Sequence, residues 1–231
     1  MKSAIFLNNE ATRLIEKRNY KVALSMLGEG LESLQNQLDD QGDCVMEYDH
    51  NHTYSKDEDV YSSLDERVMQ LRRKASFKES LVADEDFVYR HPINAKLSLS
   101  NEGEKGIYIL SVILVFNMAL VHHLVAIEKR CQNCPKRFKA ALTLYNLAFH
   151  LQMKGNVSID MTYVIAMVNN CAHIYKTFNK QKRSQKFYNH MLSSLLMMVE
   201  TGEANTIDEL DGFLWNASRL ILRPDVAAAA A

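Results

Sequence analysis

The chain has 231 residues, 47% hydrophobic and 24% charged, with a formal net charge of -1 and a pI near 6.7. That is enough apolar material for a core without disulfides or a metal, and the charge balance excludes the basic excess that nucleic-acid phosphates call for. Three prolines and eight glycines are too few for the turns of an all-β fold, so the composition reads as all-α.

In chain order, the N-terminal stretch is too short in apolar residues for a signal peptide. The four cysteines, Cys44, Cys131, Cys134 and Cys171, are scattered as in a reducing compartment rather than a disulfide framework. The expected location is cytoplasmic, with the nucleus compatible. Apolar residues recur at helical spacing at Ile5, Leu7, Ala11, Leu14 and Ile15, and again at Ala23, Leu24, Leu27, Leu31 and Leu34, with a break at Asn19. This predicts a helix hairpin in residues 1–36.

Residues 37–100 differ in character. Ten acidic residues and one lysine, Lys56, lie between Asp39 and Glu66, so the segment reads as an acidic, largely disordered insertion. Within it, Val60, Leu64, Val68 and Leu71 are spaced for one short amphipathic helix, and Arg72, Arg73 and Lys74 precede Ser76 in a manner basophilic kinases accept. A short extended piece near residues 87–93 is compatible with this reading.

Residues 101–226 then carry five helices, near 108–128, 135–154, 158–178, 180–200 and 208–222, ahead of an alanine tail at 227–231. Pro135 suits a first turn, Gly155 and Gly202 stand at C-terminal caps, Thr206 with Glu209 forms a capping box, and Pro224 stops the last helix. Residues 107–127 are 21 without a charge, long enough to cross a bilayer. Asn117, His122 and His123 would be costly in hydrocarbon and no aromatic belt frames the stretch, so a buried central helix is expected rather than a membrane span.

A repeat organises these helices. Ala11, Leu14, Ala23, Leu27 and Gly30 fall at steps of 0, 3, 12, 16 and 19 residues, and Ala172, Tyr175, Ser184, Tyr188 and Met191 fall at the same steps. Ala119, His122, Ala141, Tyr145 and Ala148 follow the pattern with ten extra residues around Cys131 to Pro135. Small residues let two helices approach and the larger ones fill the groove beside them. The pattern resembles the tetratricopeptide repeat, without its usual tryptophan and final proline. The resemblance implies a short α-solenoid of about three antiparallel helix pairs plus a C-terminal capping helix, whose covering face is Phe213, Leu214, Ala217, Leu220 and Ile221.

Each first helix also carries an asparagine two residues before its small residue: Asn9, Asn117 and Asn170. Two helical residues turn the chain about 200°, which directs these amides into the concave groove. The Asn-Asn-x-Ala form at Asn8 and Asn169 is similar to repeats of the kinesin light chain group, which implies asparagines that hold the backbone of an extended peptide. The alternative is that they only bond neighbouring helices. The expected groove residues are Asn8, Asn9, Phe116, Asn117, Leu120, Asn169, Asn170 and His173, with Lys176 the one candidate cation.

The single C-x-x-C at Cys131 and Cys134, two turns after His122 and His123, is a weak zinc or redox signal. Neither a phosphate loop nor a dinucleotide fingerprint is present in the sequence. The reading is therefore a non-enzymatic scaffold or adaptor for a protein or peptide partner, with no cofactor, no metal, no nucleic acid and no membrane span. Two alternatives stand beside it: a structural subunit that oligomerises through its convex face or ends, and, behind that, a zinc or redox protein.

Overall fold

The computed structural model describes residues 1–39, 86–129, 134–157, 159–202 and 209–222. Among them are seven α-helices and no strand: α1 Lys2–Glu16, α2 Tyr20–Asp39, α3 Gly103–Lys129, α4 Cys134–Lys154, α5 Met161–Thr177, α6 Gln181–Thr201 and α7 Leu210–Leu222. A 3-10 turn, Leu97–Asn101, leads into α3. Helices α1 and α2, α3 and α4, and α5 and α6 form three antiparallel pairs, and α7 closes the array against α6 and α5.

The repeat explains the pairing. Ala11 and Ala23, Ala119 and Ala141, and Ala172 and Ser184 are all buried where the two helices of a pair meet. In the third pair the approach is close enough for the Ser184 hydroxyl to donate to the Ala172 carbonyl at 2.9 Å. The turns repeat as well. Arg18 and Asn179, each seven residues past its alanine, adopt positive φ of 59° and 58°. In both turns the following amide, of Asn19 or Lys180, reaches back to the carbonyl of Leu14 or Tyr175.

Nine of the ten extra residues of the middle pair are spent on helix, five on α3 and four on α4. Helix α3 continues ten residues past Ala119, where α1 and α5 stop five past Ala11 and Ala172, and α4 starts seven residues before Ala141, where α2 and α6 start three before Ala23 and Ser184. Helix α3 is long and apolar enough to cross a bilayer. Most of it is buried, under α1, α2 and α4, in the position of a core helix.

Gly202 is the left-handed cap expected of it, with φ of 78°. Gly155 differs: the positive φ falls on Asn156, and a Cβ on Gly155 would lie 2.6 Å from the Tyr108 ring. Close approach, not backbone freedom, requires that glycine. Helix α5 is capped by Asp160, whose carboxylate accepts from the Thr162 amide at 2.8 Å.

Helix α2 runs to Asp39, past the expected end of the first hairpin, and description resumes at Asp86. Residues 86–100, which composition assigned to the insertion, contribute to the core: Tyr89, Ile93, Ala95 and Leu99 are buried in it, and Val88 is buried as well. The acidic stretch with its amphipathic pattern, Ser76, Cys44, Cys131, Thr206, Pro224 and the alanine tail lie outside the described residues. On α7, Phe213 and Ala217 are buried as expected of a closing face. The side chains of Leu220 and Ile221 are outside the description.

Candidate functional site

A primary amide carries a C=O and an NH2 side by side, so one asparagine can take both the N–H and the C=O of a single residue in an extended chain. Four asparagines do this to one segment, residues 86–96. Asn216 of α7 pairs with Phe87 at 2.9 and 2.7 Å, and Asn170 of α5 with Tyr89 at 3.0 Å twice. Asn117 of α3 pairs with Ile93 at 2.8 and 2.9 Å, and Asn9 of α1 with Ala95 at 2.8 and 3.0 Å. Alternate residues are gripped on each side of a gap, the period of an extended chain. The segment runs from α7 to α1, opposite to the order of the helices in sequence.

The eight contacts belong to two copies of one network. In the first, Asn8 donates to the Ile93 carbonyl at 2.9 Å and to Asn9 Oδ1 at 3.2 Å, and accepts from Asn117 Nδ2 at 2.9 Å. In the second, Asn169 donates to the Phe87 carbonyl at 3.1 Å and to Asn170 Oδ1 at 3.3 Å, and accepts from Asn216 Nδ2 at 2.7 Å. Each clamp is thus an asparagine doublet on one helix and a single asparagine on the next inner helix. One holds Ile93–Asn94–Ala95 and the other Phe87–Val88–Tyr89. Helix α7 takes the place that a first helix holds in the pairs before it.

Between α3 and α5 the clamp is missing. Phe116 stands immediately before Asn117, where Asn8 and Asn169 stand before Asn9 and Asn170, and an aromatic ring cannot brace an amide. The ring packs instead against Tyr145, Tyr163 and Tyr89, with centroids 5.8, 6.2 and 6.5 Å away. Opposite it the segment crosses at Arg90, His91 and Pro92, of which Arg90 and His91 are exposed.

Ends and flanks are fixed by charge and packing. Lys176 meets Asp86 at 2.7 Å, so the expected groove cation holds the segment's own carboxylate. Thr12 donates to Asn94 Oδ1 at 2.7 Å, and His91 lies 3.1 Å from Glu209. Phe87 meets Phe213 edge-on and Tyr89 stacks on the same ring, at centroid distances of 5.2 and 5.9 Å. The Phe87 ring presses on α7 where Gly212 has no side chain; a Cβ there would be 2.4 Å from it.

His173 does not reach the segment by a hydrogen bond. Its Nδ1 lies 3.0 Å from Nε2 of His123, which is fully buried. Nδ1 of His123 has no partner, so the lower-cost tautomer carries the proton on Nε2 and donates it to His173. Burial holds both rings below the ordinary histidine pKa, and for His123 the neighbouring His173 and Arg90 add to it. His122 is lowered too, by burial and by Arg137, whose guanidinium is 3.0 Å away. Burial raises the Cys171 thiol and the Tyr145 hydroxyl, so neither ionises near neutral pH. Among the described residues no three His, Cys, Asp or Glu side chains group as metal ligands do.

Of the eight expected groove residues, five asparagines meet on the segment and Phe116 touches it. Leu120 is buried core and His173 belongs to the histidine pair. Sequence reasoning missed Asn216, although it too sits two residues before a small residue, Ser218, on an otherwise apolar face. It also missed that the chain supplies an occupant, for which the signal was the alternation Phe87, Tyr89, Ile93, Ala95. Comparison with family models, curated proteins and solved structures finds no match.

Proposed function

We propose that this chain is a tetratricopeptide-like scaffold whose inner face grips an extended polypeptide by its backbone, and that it acts by holding a protein partner rather than by chemistry. The observation that supports this most is the repeated asparagine clamp. The same arrangement holds Phe-Val-Tyr in one place and Ile-Asn-Ala in another, so its bonds are indifferent to side-chain identity. Recognition of main chain at alternate residues is how extended peptides are bound by strand addition, here with amide side chains in place of a sheet edge.

The test supplies the ligand from outside. In Tyr89→Pro one clamped N–H is removed from the resident segment and nothing from the helices. A fluorescent peptide of residues 86–96 is expected to bind this variant, and to lose about tenfold or more in affinity when Asn117→Ala and Asn170→Ala are added. Binding that ignores both asparagines would refute the groove reading.

A second reading, a structural subunit that assembles through its outer surface, is favoured by where large apolar side chains remain exposed: Phe6, Met153 and Met197 are each at least half accessible. Sedimentation of the full chain over a range of concentrations separates it from the first. Self-association that Phe6→Ser or Met197→Ser abolishes would support assembly.

A further inference from the structure

We infer that segment 86–96 is an exchangeable resident of the groove, and that its competitor is an unfolded protein stretch built to the same plan. This rests on the groove reading above. The plan is an acidic residue, two aromatics flanking an apolar residue, three residues that span the gap between the clamps, then a β-branched residue and a small one with one unclamped position between them.

Each part of that plan has a counterpart. Lys176 receives the acid, at Asp86. Phe213 receives both aromatics, against the bare backbone at Gly212. The buried positions at Ile93 and Ala95 set the second station, and the exposed Arg90 and His91 mark the span between the two stations. Proline is excluded at the four clamped positions, which need their N–H, and tolerated between them, where Pro92 sits.

Exchange follows from how the segment is held. Its clamped backbone groups are held by amide side chains, and two chemically different tripeptides satisfy identical clamps. The stations are separated by residues 90–92, where Phe116 has replaced the bracing asparagine. One station can therefore open while the other stays closed, and an incoming peptide can seat in the vacated clamp before the resident leaves entirely. Because the segment is tethered at both ends its effective concentration is high, so the fraction of open groove sets the apparent affinity for a competitor.

The experiment uses the unaltered full chain. Hydrogen exchange at the amides of Phe87, Tyr89, Ile93 and Ala95 is compared with that of central amides in α3 and α5, with and without unlabelled 86–96 peptide. Exchange at least about tenfold faster at the segment than in the helices is expected. The labelled peptide should bind the unaltered chain about tenfold or more weakly than it binds Tyr89→Pro, and a peptide with proline at the four clamped positions should not bind.

Segment amides as slow as those of α3 and α5 would overturn exchange and leave the groove reading standing. Fast segment amides with no binding of peptide to either chain would overturn both. A concentration-dependent dimer that the peptide dissolves would assign the groove to a second copy's segment, against the partner proposed here. The hydrogen-exchange arm needs no variant and does not depend on one folding.

Discussion

Asn170 holds Tyr89 by both of its main-chain polar groups, at 3.0 Å each, and spends its remaining N–H on the Tyr145 hydroxyl at 3.0 Å. All three residues are buried, so truncating the amide takes one hydrogen-bond partner from a main-chain donor, a main-chain acceptor and a hydroxyl at once. Asn170→Ala is expected to lower unfolding free energy by roughly 2–5 kcal/mol. Urea denaturation reads this directly, and a loss under about 1 kcal/mol would mean that water takes the place of the amide.

The contact between Phe87 and Gly212 predicts a strong coupling. Gly212→Ala alone should cost about 1–3 kcal/mol, because the new methyl meets an aromatic ring that cannot retreat without leaving its clamp. In a Phe87→Ala background the ring is gone and alanine is the better helix former, so the same change should become neutral or stabilising by up to about 1 kcal/mol. A double-mutant cycle by denaturant unfolding measures the difference; additive effects would contradict the contact.

Arg18 occupies a left-handed turn position, φ 59°, for which a Cβ is a disadvantage. Its ion pair with Glu128 is long, 3.8 Å, and exposed, so little is lost with the side chain. Arg18→Gly should stabilise by about 0.5–1 kcal/mol and raise Tm by a few degrees, as thermal melting would show.

The histidine pair makes stability depend on pH. Burial holds His123 and His173 below their unfolded pKa of 6.5, so below that pH the unfolded chain binds more protons than the folded one. Stability is flat above about pH 6.5 and falls as pH drops toward the folded values, by up to about 1.4 kcal/mol per pH unit for each ring. His123→Phe, whose ring suits the Phe138 and Tyr145 edges, should flatten the decline of Tm between about pH 6.5 and 5. An unchanged slope would place the titration elsewhere.

The helix pairs were legible because small residues at fixed steps report a contact that geometry forces to repeat. That Asn9, Asn117 and Asn170 share one direction was legible for the same reason, since two helical residues fix it relative to Ala11, Ala119 and Ala172. What the sequence concealed was connectivity. Phe87 to Ala95 follow an acidic stretch, and composition averaged over residues 37–100 hides a period-two pattern only nine residues long. No local rule links Phe87 to Asn216, 129 residues later. In the middle pair the facing helix ends, Lys129 and Cys134, each lie one residue beyond the 128 and 135 that the pattern predicts.

The direction in which the segment runs, from α7 to α1, bears on how the chain folds. A stack of helix pairs ordinarily gains stability from neighbour to neighbour, so it can fray from an end. Here α1 and α7 are each fastened to the strap, through Ala95 and Phe87, so fraying at either end must first break the buried clamp that ends on it. While the segment is seated, the terminal helices should therefore fray less than those of an unstrapped stack. During synthesis the first clamp is complete once α3 has been made, whereas the second lacks Asn216 until α7 emerges, so the segment waits half-seated until then.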